Sequence, residues 1–151
     1  MSIPNVQGQL TLSQDLQFNG TDHEFIRANM DDTIRASGTA TATVTSADIT
    51  NFNFAGAIFF LNVTSLPASG STTVALAIQG KDPVSGNYST LFTSTPVSAT
   101  GLTAIMFHPG ISASANGAAG ILPRTFRIQS NVSAGATSKV AIFSVGMSFV
   151  R

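Results

Sequence analysis

Apolar and polar positions alternate along the C-terminal stretch of the chain. Within Lys139 to Val150, Phe143, Val145, Met147 and Phe149 are separated by serine or glycine. Because a period of two places successive side chains on opposite faces, the pattern predicts a β-strand with one heavy face turned inward. Each fully buried side chain of this kind contributes about 1.5–3 kcal/mol relative to exposure, so we expect this strand to be central to the core.

The region before it predicts five more strands, separated by turn-forming Gly, Pro, Ser and Asn, and one long loop rich in Ala, Gly and Ser. The strands are Ala57–Thr64, Thr72–Gln79, Tyr88–Thr93, Leu102–His108 and Thr125–Val132, and the loop is Pro109–Gly120. The first strand is apolar at consecutive positions, which predicts a strand with neighbours on both faces. Short strands at this spacing are typical of an antiparallel β-sandwich or jelly roll, so we predict an all-β protein.

Residues Asp82 to Asn87 separate two of these strands and contain turn residues in a definite order. Pro83 fixes φ, Asp82 is a turn-capping residue, and Gly86 supplies a position where φ can be positive. Between two alternating strands, this order predicts a hairpin corner and not a ligand-binding loop.

The first third of the chain is less regular. Ser37 to Thr50 alternates Thr with Ala and Val, which predicts an edge strand because these side chains are too small to anchor a core. His23 to Arg35 carries apolar residues at a spacing that fits a short helical face, although its Asn, Asp and Thr residues weaken a helix. We therefore divide the chain into residues 1–36, an N-terminal arm or added edge strands, and residues 37–151, the β-sandwich.

Several residues of this N-terminal segment are candidates for binding a partner. Four apolar residues fall on even positions, as in an extended segment that lays one face on a neighbouring subunit, and two adjacent acids follow. The candidates are Leu10, Leu12, Leu16, Phe18, Asp31 and Asp32. The alternative, which periodicity alone leaves open, makes the same residues the first strands of the sandwich.

Charged residues are scarce in this chain and unevenly distributed. Only 9% of its 151 residues are charged, against about 25% in ordinary domains. A surface made of Ser, Thr, Asn and Gly repels its own copies weakly, which favours oligomerisation. Six of the seven acids lie at or before Asp48, and five of the seven bases follow it. This uneven distribution of charge is either chance or an acidic arm that docks on a basic partner. Neither half of the chain is basic enough to predict nucleic-acid binding.

Motifs for catalysis and for metal binding are incomplete in this sequence. His23 and Glu24 begin like a zinc-protease helix, but Arg27 stands where the second histidine is required. Gly80-Lys81 lacks the preceding glycine of a phosphate-binding loop, and Asp82 replaces the Ser or Thr that should follow. The chain has no cysteine to form a thiolate site. We therefore expect no enzymatic activity, no metal and no cofactor.

Neither a signal peptide nor a membrane span is predicted from the sequence. The residues from Met1 to Asn5 combine no basic region with an apolar one, so we expect no export by a signal peptide. The longest apolar run, from Ala55 to Val63, is too short to cross a bilayer as a helix.

An ordered set of segments resembles small virion proteins of tailed bacteriophages. The set comprises Phe59–Thr64, Val74–Tyr88 with Leu91, Phe107–Ile111 and Leu122–Arg127. The resemblance covers about Gly56 to Val150. It implies a β-sandwich without a cofactor that serves as a structural protein of the particle.

The resemblance implies first a head decoration, or cement, protein that forms a homotrimer on the particle surface. Its partners would be the major capsid protein or other virion proteins, and further copies of itself. Such a protein is made in the host cytoplasm without a signal peptide. A tail, neck or baseplate component is the second reading, and a carbohydrate-binding adhesion module is the third. A sugar platform commonly uses Trp or Tyr, whereas this chain has no Trp and one tyrosine, Tyr88.

Overall fold

A computed structural model describes residues 16–18, 23–25, 30–67, 72–133 and 140–151 of the chain. Within these ranges the secondary structure consists of twelve β-strands and no helix. The strands are β1 (Leu16–Phe18), β2 (His23–Phe25), β3 (Asp31–Ala40), β4 (Val44–Thr45), β5 (Ile49–Thr50), β6 (Gly56–Ser65), β7 (Thr73–Lys81), β8 (Tyr88–Thr93), β9 (Gly101–Phe107), β10 (Gly117–Ala118), β11 (Thr125–Ser133) and β12 (Ala141–Val150). The all-β fold class predicted from the sequence is confirmed.

Two five-stranded sheets form the sandwich. Sheet I has the strand order β10-β9-β6-β12-β3, and sheet II has the order β4-β11-β7-β8, with β5 also paired to β11. The pairs within both sheets are antiparallel except β10 with β9, which is parallel. The parallel pair is confined to this two-residue edge strand, and the sandwich is as predicted, while the jelly-roll connectivity stays a prediction.

The core lies between the two sheets and follows the predicted alternation. The four apolar residues of β12 that were expected to point inward, from Phe143 to Phe149, are all buried. They meet Leu76 and Ile78 of β7 and Phe126 and Ile128 of β11 in one hydrophobic cluster. The central position predicted for the last strand is confirmed, since β12 pairs with both β6 and β3.

The strand predicted over Ser37 to Thr50 is divided between the sheets. Its beginning belongs to β3 at the edge of sheet I, while β4 and β5 pair with β11 in sheet II. Ser46 interrupts the second part: its N–H donates to the Ile128 carbonyl, and its Oγ accepts the Ile128 N–H at 3.0 Å. The edge position was therefore right and the single strand wrong, because this segment crosses from one sheet to the other.

Strands occupy the described parts of His23 to Arg35, the segment in which a helical face was considered, at residues 23–25 and from Asp31 onward. β2 pairs with β1 in a separate two-stranded sheet, with Leu16 opposite Phe25, and β3 begins at Asp31. Because β3 runs across the proposed boundary at residue 36, residues 31–36 belong to the sandwich as an edge strand. Most of residues 1–29 lie outside the described ranges, and their assignment as an arm stays a prediction.

The predicted hairpin corner joins β7 to β8. The Asp82 carboxylate accepts the N–H groups of Val84 and Ser85, both at 3.1 Å, and the Ser85 hydroxyl at 2.5 Å. Gly86 has a φ of 72°. Asp82 and Gly86 therefore have the roles that the sequence predicted, because these features are local and need no distant partner.

Candidate functional site

The outer face of sheet I carries exposed apolar side chains. This outer face consists of Ile58, Phe60 and Asn62 of β6, Leu102, Ala104 and Met106 of β9, and Ser144, Gly146 and Ser148 of β12. Leu102 is 67% exposed, Met106 37% and Phe60 36%. Large apolar side chains that are uncovered together mark an interaction surface more often than not. The candidate site is therefore a docking surface.

The alternation of β6 and β9 places these side chains outward. Phe59 and Leu61 fill the core, so Phe60 between them must point to the opposite face. Strand register then sets the neighbours: Phe60 lies opposite Ala104 on β9 and opposite Gly146 on β12. Directly opposed residues share one face of a sheet, so the outward side chains of three strands form one continuous surface.

The outer face of sheet I is also electrically neutral. β6, β9 and β12 contain no charged residue over their whole lengths. A partner that covers these strands therefore desolvates hydroxyl, amide and apolar groups but no ion, and desolvating an ion is the most costly part of forming an interface.

The predicted site residues lie partly beside this surface. Asp31 is exposed on β3 and pairs with Ser148, so it lies at the rim of the outer face of sheet I. Asp32 is exposed as well, but it pairs with the inward-facing Met147 and accepts the Thr33 N–H at 2.7 Å. The strand register thus brings one of the two acids to the surface and not the other.

The other predicted partner-binding residues are not brought to this surface by any described contact. Leu16 and Phe18 lie in β1, where they are opposite Phe25 and His23. Leu10 and Leu12 lie outside the described residues. A role for these four residues in binding a partner stays a prediction.

Sequence reasoning missed the outer face of sheet I. The signal was present, because Ile58 and Phe60 stand at the outward positions of a strand whose inward positions are also apolar. It was interpreted as a strand with neighbours on both faces, and that interpretation was wrong: Ile58 is half-buried and Phe60 exposed. An apolar run therefore predicts burial of both faces of this strand, whereas in this structure one face stays uncovered.

A second cluster, of polar side chains, lies on sheet II. Lys81 Nζ is 2.7 Å from Asp48 Oδ2, and the Tyr88 hydroxyl donates to the other oxygen of Asp48. The Arg127 guanidinium lies 3.5 Å from the centre of the Tyr88 ring, and its Nε donates to Gln79 Oε1 at 2.8 Å. These groups meet one another's hydrogen-bonding and charge requirements. The cluster therefore ties Asp48, which directly precedes β5, to Lys81 of β7 and Tyr88 of β8.

The pKa of Asp48 reflects this arrangement. Hydrogen bonds from Lys81 and then Tyr88 lower the pKa of Asp48, and the same ion pair raises the pKa of Lys81. Both groups are therefore charged across the neutral range. A general acid or base needs a pKa near the working pH, and these shifts move both pKa values away from it.

Acid titration offers a test of the Asp48 cluster. Because the folded-state pKa of Asp48 lies below its unfolded value of about 3.9, its contribution to stability is complete above that pH. The contribution is lost as the pH falls through the folded-state pKa. We expect urea midpoints of the wild type and Asp48→Asn to differ at pH 7 and to converge towards pH 2. A difference that persists unchanged at pH 2 would refute this role for the carboxylate.

A cleft of about 580 Å³ adjoins the cluster. Its lining includes Asp48, Lys81, Asp82 and Arg124. Both carboxylates are already engaged, Asp48 by Lys81 and Tyr88 and Asp82 by its own turn. Within the described ranges, no three His, Asp or Glu side chains are grouped as metal ligands.

Three comparisons with known proteins supply no relative for this fold. No family model, curated protein or solved structure matches the chain. Among the residues that the structure describes, no helix is long and apolar enough to cross a membrane.

Proposed function

We propose that this protein is a non-enzymatic structural component of a tailed-bacteriophage particle. Its foremost role in this proposal is that of a head decoration protein, which binds the outer surface of the capsid and stabilises it. It associates with the major capsid protein and with further copies of itself, as a homotrimer. The neutral, apolar outer face of sheet I is the observation that carries this proposal.

The chemistry of the outer face of sheet I suits permanent burial in an assembly. Leu102, Phe60 and Met106 each gain by leaving water, at about 25 cal/mol per Å² of apolar area buried. With no charge to desolvate on β6, β9 or β12, this gain is not cancelled by an ionic cost. An enzyme needs a concave site with activated polar groups, whereas this surface offers uncharged, exposed apolar side chains of the kind that pack against another protein.

The alternative of a carbohydrate-binding module is less well supported. Sugar rings stack on exposed aromatic faces, and Tyr88 is the single tyrosine of the chain. Arg127 already lies 3.5 Å from the centre of its ring, so one face of Tyr88 is occupied. A place in the tail, neck or baseplate remains the second candidate, since the same surface would serve there.

A binding experiment with undecorated heads tests the proposal. The purified protein should co-sediment with the heads, and Leu102→Lys should lose most of this binding because it places a charge on the apolar face. Ile121→Lys is the matched control: Ile121 is 72% exposed but lies in the loop before β11, so its variant should bind like the wild type. If both variants bind heads equally well, the outer face of sheet I is not the surface that contacts the capsid.

Copy number separates the head from the other locations in the particle. A decoration protein should be present in hundreds of copies per virion, whereas a neck or baseplate component numbers from a few to a few dozen. Gel densitometry against the major capsid protein measures the ratio directly. A low ratio would contradict a place on the head and favour one in the tail, neck or baseplate.

A further inference from the structure

A shallow trough runs along β12 on the outer face of sheet I. Its floor consists of Ser144, Gly146 and Ser148, the small residues at successive outward positions. A Cβ added at Gly146 would meet only the Asp32 carbonyl oxygen, at 4.0 Å. The space above Gly146 is therefore open to a side chain from outside the subunit.

A ridge of larger side chains lies directly beside this trough. On the adjacent β6, Ile58 and Phe60 occupy the outward positions, opposite Ser148 and Gly146 respectively. Neighbouring strands are about 4.8 Å apart, so the ridge and the trough run side by side along the strands. The outer face of sheet I thus combines a projecting half and a recessed half of matching length.

We infer that two copies of this chain pack through the outer face of sheet I, with Phe60 of each copy seated over Gly146 of the other. A two-fold axis parallel to the strands, midway between β6 and β12, places each ridge over the opposite trough. Face-to-face sheets pack about 10 Å apart through interdigitated side chains. An isologous contact requires a self-complementary surface, and a ridge adjacent to its own trough meets that requirement.

Charge and shape together fit a second copy of the chain to this surface. The strands β6, β9 and β12 are uncharged, so two identical faces approach without like-charge repulsion. Asp31 lies on β3, the outermost strand of the contact, and the two-fold axis places the two copies of Asp31 at opposite edges, where they do not repel each other. A basic or acidic partner would find no complementary charge on this surface.

The size of the face sets the strength of the contact. The two-fold axis between β6 and β12 also places β9 of each copy over β3 of the other, so the contact is four strands wide, from β9 to β3. At seven residues long it measures about 19 by 23 Å, or about 440 Å² per copy. The total of about 900 Å² lies below the 1,200–2,000 Å² of a standard stable interface. The pair is therefore weak in dilute solution and forms at high local concentration. The inference rests on the self-association in the proposed function. Because the capsid would cover the same face, the pair belongs to the free protein and must separate before that face binds a head.

Filling the trough tests the inference. Gly146 does not have a positive φ, so a β-branched residue is compatible with its backbone and with its place in a strand. Gly146→Val should keep the melting temperature of the wild type and weaken dimerisation about tenfold or more in analytical ultracentrifugation. Phe60→Ala, which removes the ridge, should weaken dimerisation in the same way.

Asn131→Val supplies the matched control, because Asn131 lies at an outward position of β11 on sheet II. It should dimerise like the wild type. If the wild type associates but Gly146→Val and Phe60→Ala associate equally well, the interface is wrong while the proposed self-association stands. A wild type that stays monomeric at the highest soluble concentration overturns both.

Discussion

Replacing Phe149 with alanine is expected to lower the free energy of unfolding by about 3–5 kcal/mol. Phe149 is fully buried near the end of β12, where its ring stacks on Phe54 at 4.7 Å between centroids. It also meets the Phe126 ring edge-on at 6.2 Å. The substitution removes the shared member of this aromatic group and leaves a cavity between the two sheets. Chemical denaturation at constant temperature measures the loss.

The matched control for this substitution is Phe52→Ala. Phe52 is 62% exposed in the loop before β6, so removing its ring should change the free energy of unfolding by less than about 0.5 kcal/mol. If both substitutions had the same effect, the aromatic group could not be the part of the core that holds the two sheets together.

Asn51→Ala is expected to cost about 2–4 kcal/mol, the second large effect. The buried Asn51 amide donates to the carbonyl oxygens of Phe54 and Leu122, both at 2.9 Å, and its Oδ1 accepts the Phe54 N–H at 2.9 Å. Alanine leaves these three backbone groups without their partner in a site shielded from water. The loop before β6 thereby loses its side-chain link to the loop before β11, while the Asn51 and Leu122 N–H groups still donate to the Arg124 and Ala55 carbonyls.

Two measurements give this prediction a sharp outcome. Asn87→Ala removes an exposed asparagine in the hairpin corner and should shift the free energy of unfolding by less than about 0.5 kcal/mol. Hydrogen exchange at the Phe54 amide should accelerate in Asn51→Ala, because this N–H loses its acceptor. Unchanged protection of that amide, together with unchanged stability, would contradict the role assigned to Asn51.

Asn51 shows why part of the architecture was invisible in the sequence. Its partner Leu122 is 71 positions away, and a lone asparagine in a polar loop carries no sign of such a contact. The crossing of residues 37–50 between the sheets was missed for the same reason. Alternating Thr and Ala specify an extended chain but not the sheet with which it pairs.

The positions of the two acids predicted for the candidate site likewise depend on strand pairing. The sequence predicted Asp31 and Asp32 as equivalent members of one acidic pair. Strand register separates them, placing Asp31 at the rim of the outer face of sheet I and Asp32 opposite the inward-facing Met147. In a strand, adjacent side chains point to opposite faces of the sheet, so the two acids would be expected to separate. The sequence did not show, however, that a strand of the sandwich, and not an arm, begins at Asp31.

The sequence by itself determined the features that depend on neighbours along the chain. The alternation of β12, the inward residues Phe143 and Phe149, and the Asp82–Gly86 corner follow from a period of two and from turn chemistry, so they could be predicted. Tertiary structure alone decided which apolar face stays uncovered. Ile58 and Phe60 have the composition of core residues, and only the order β9-β6-β12, formed by strands distant in sequence, leaves them on the outside of the sandwich. Burial depends on which strands meet across space, and local pattern does not encode that choice.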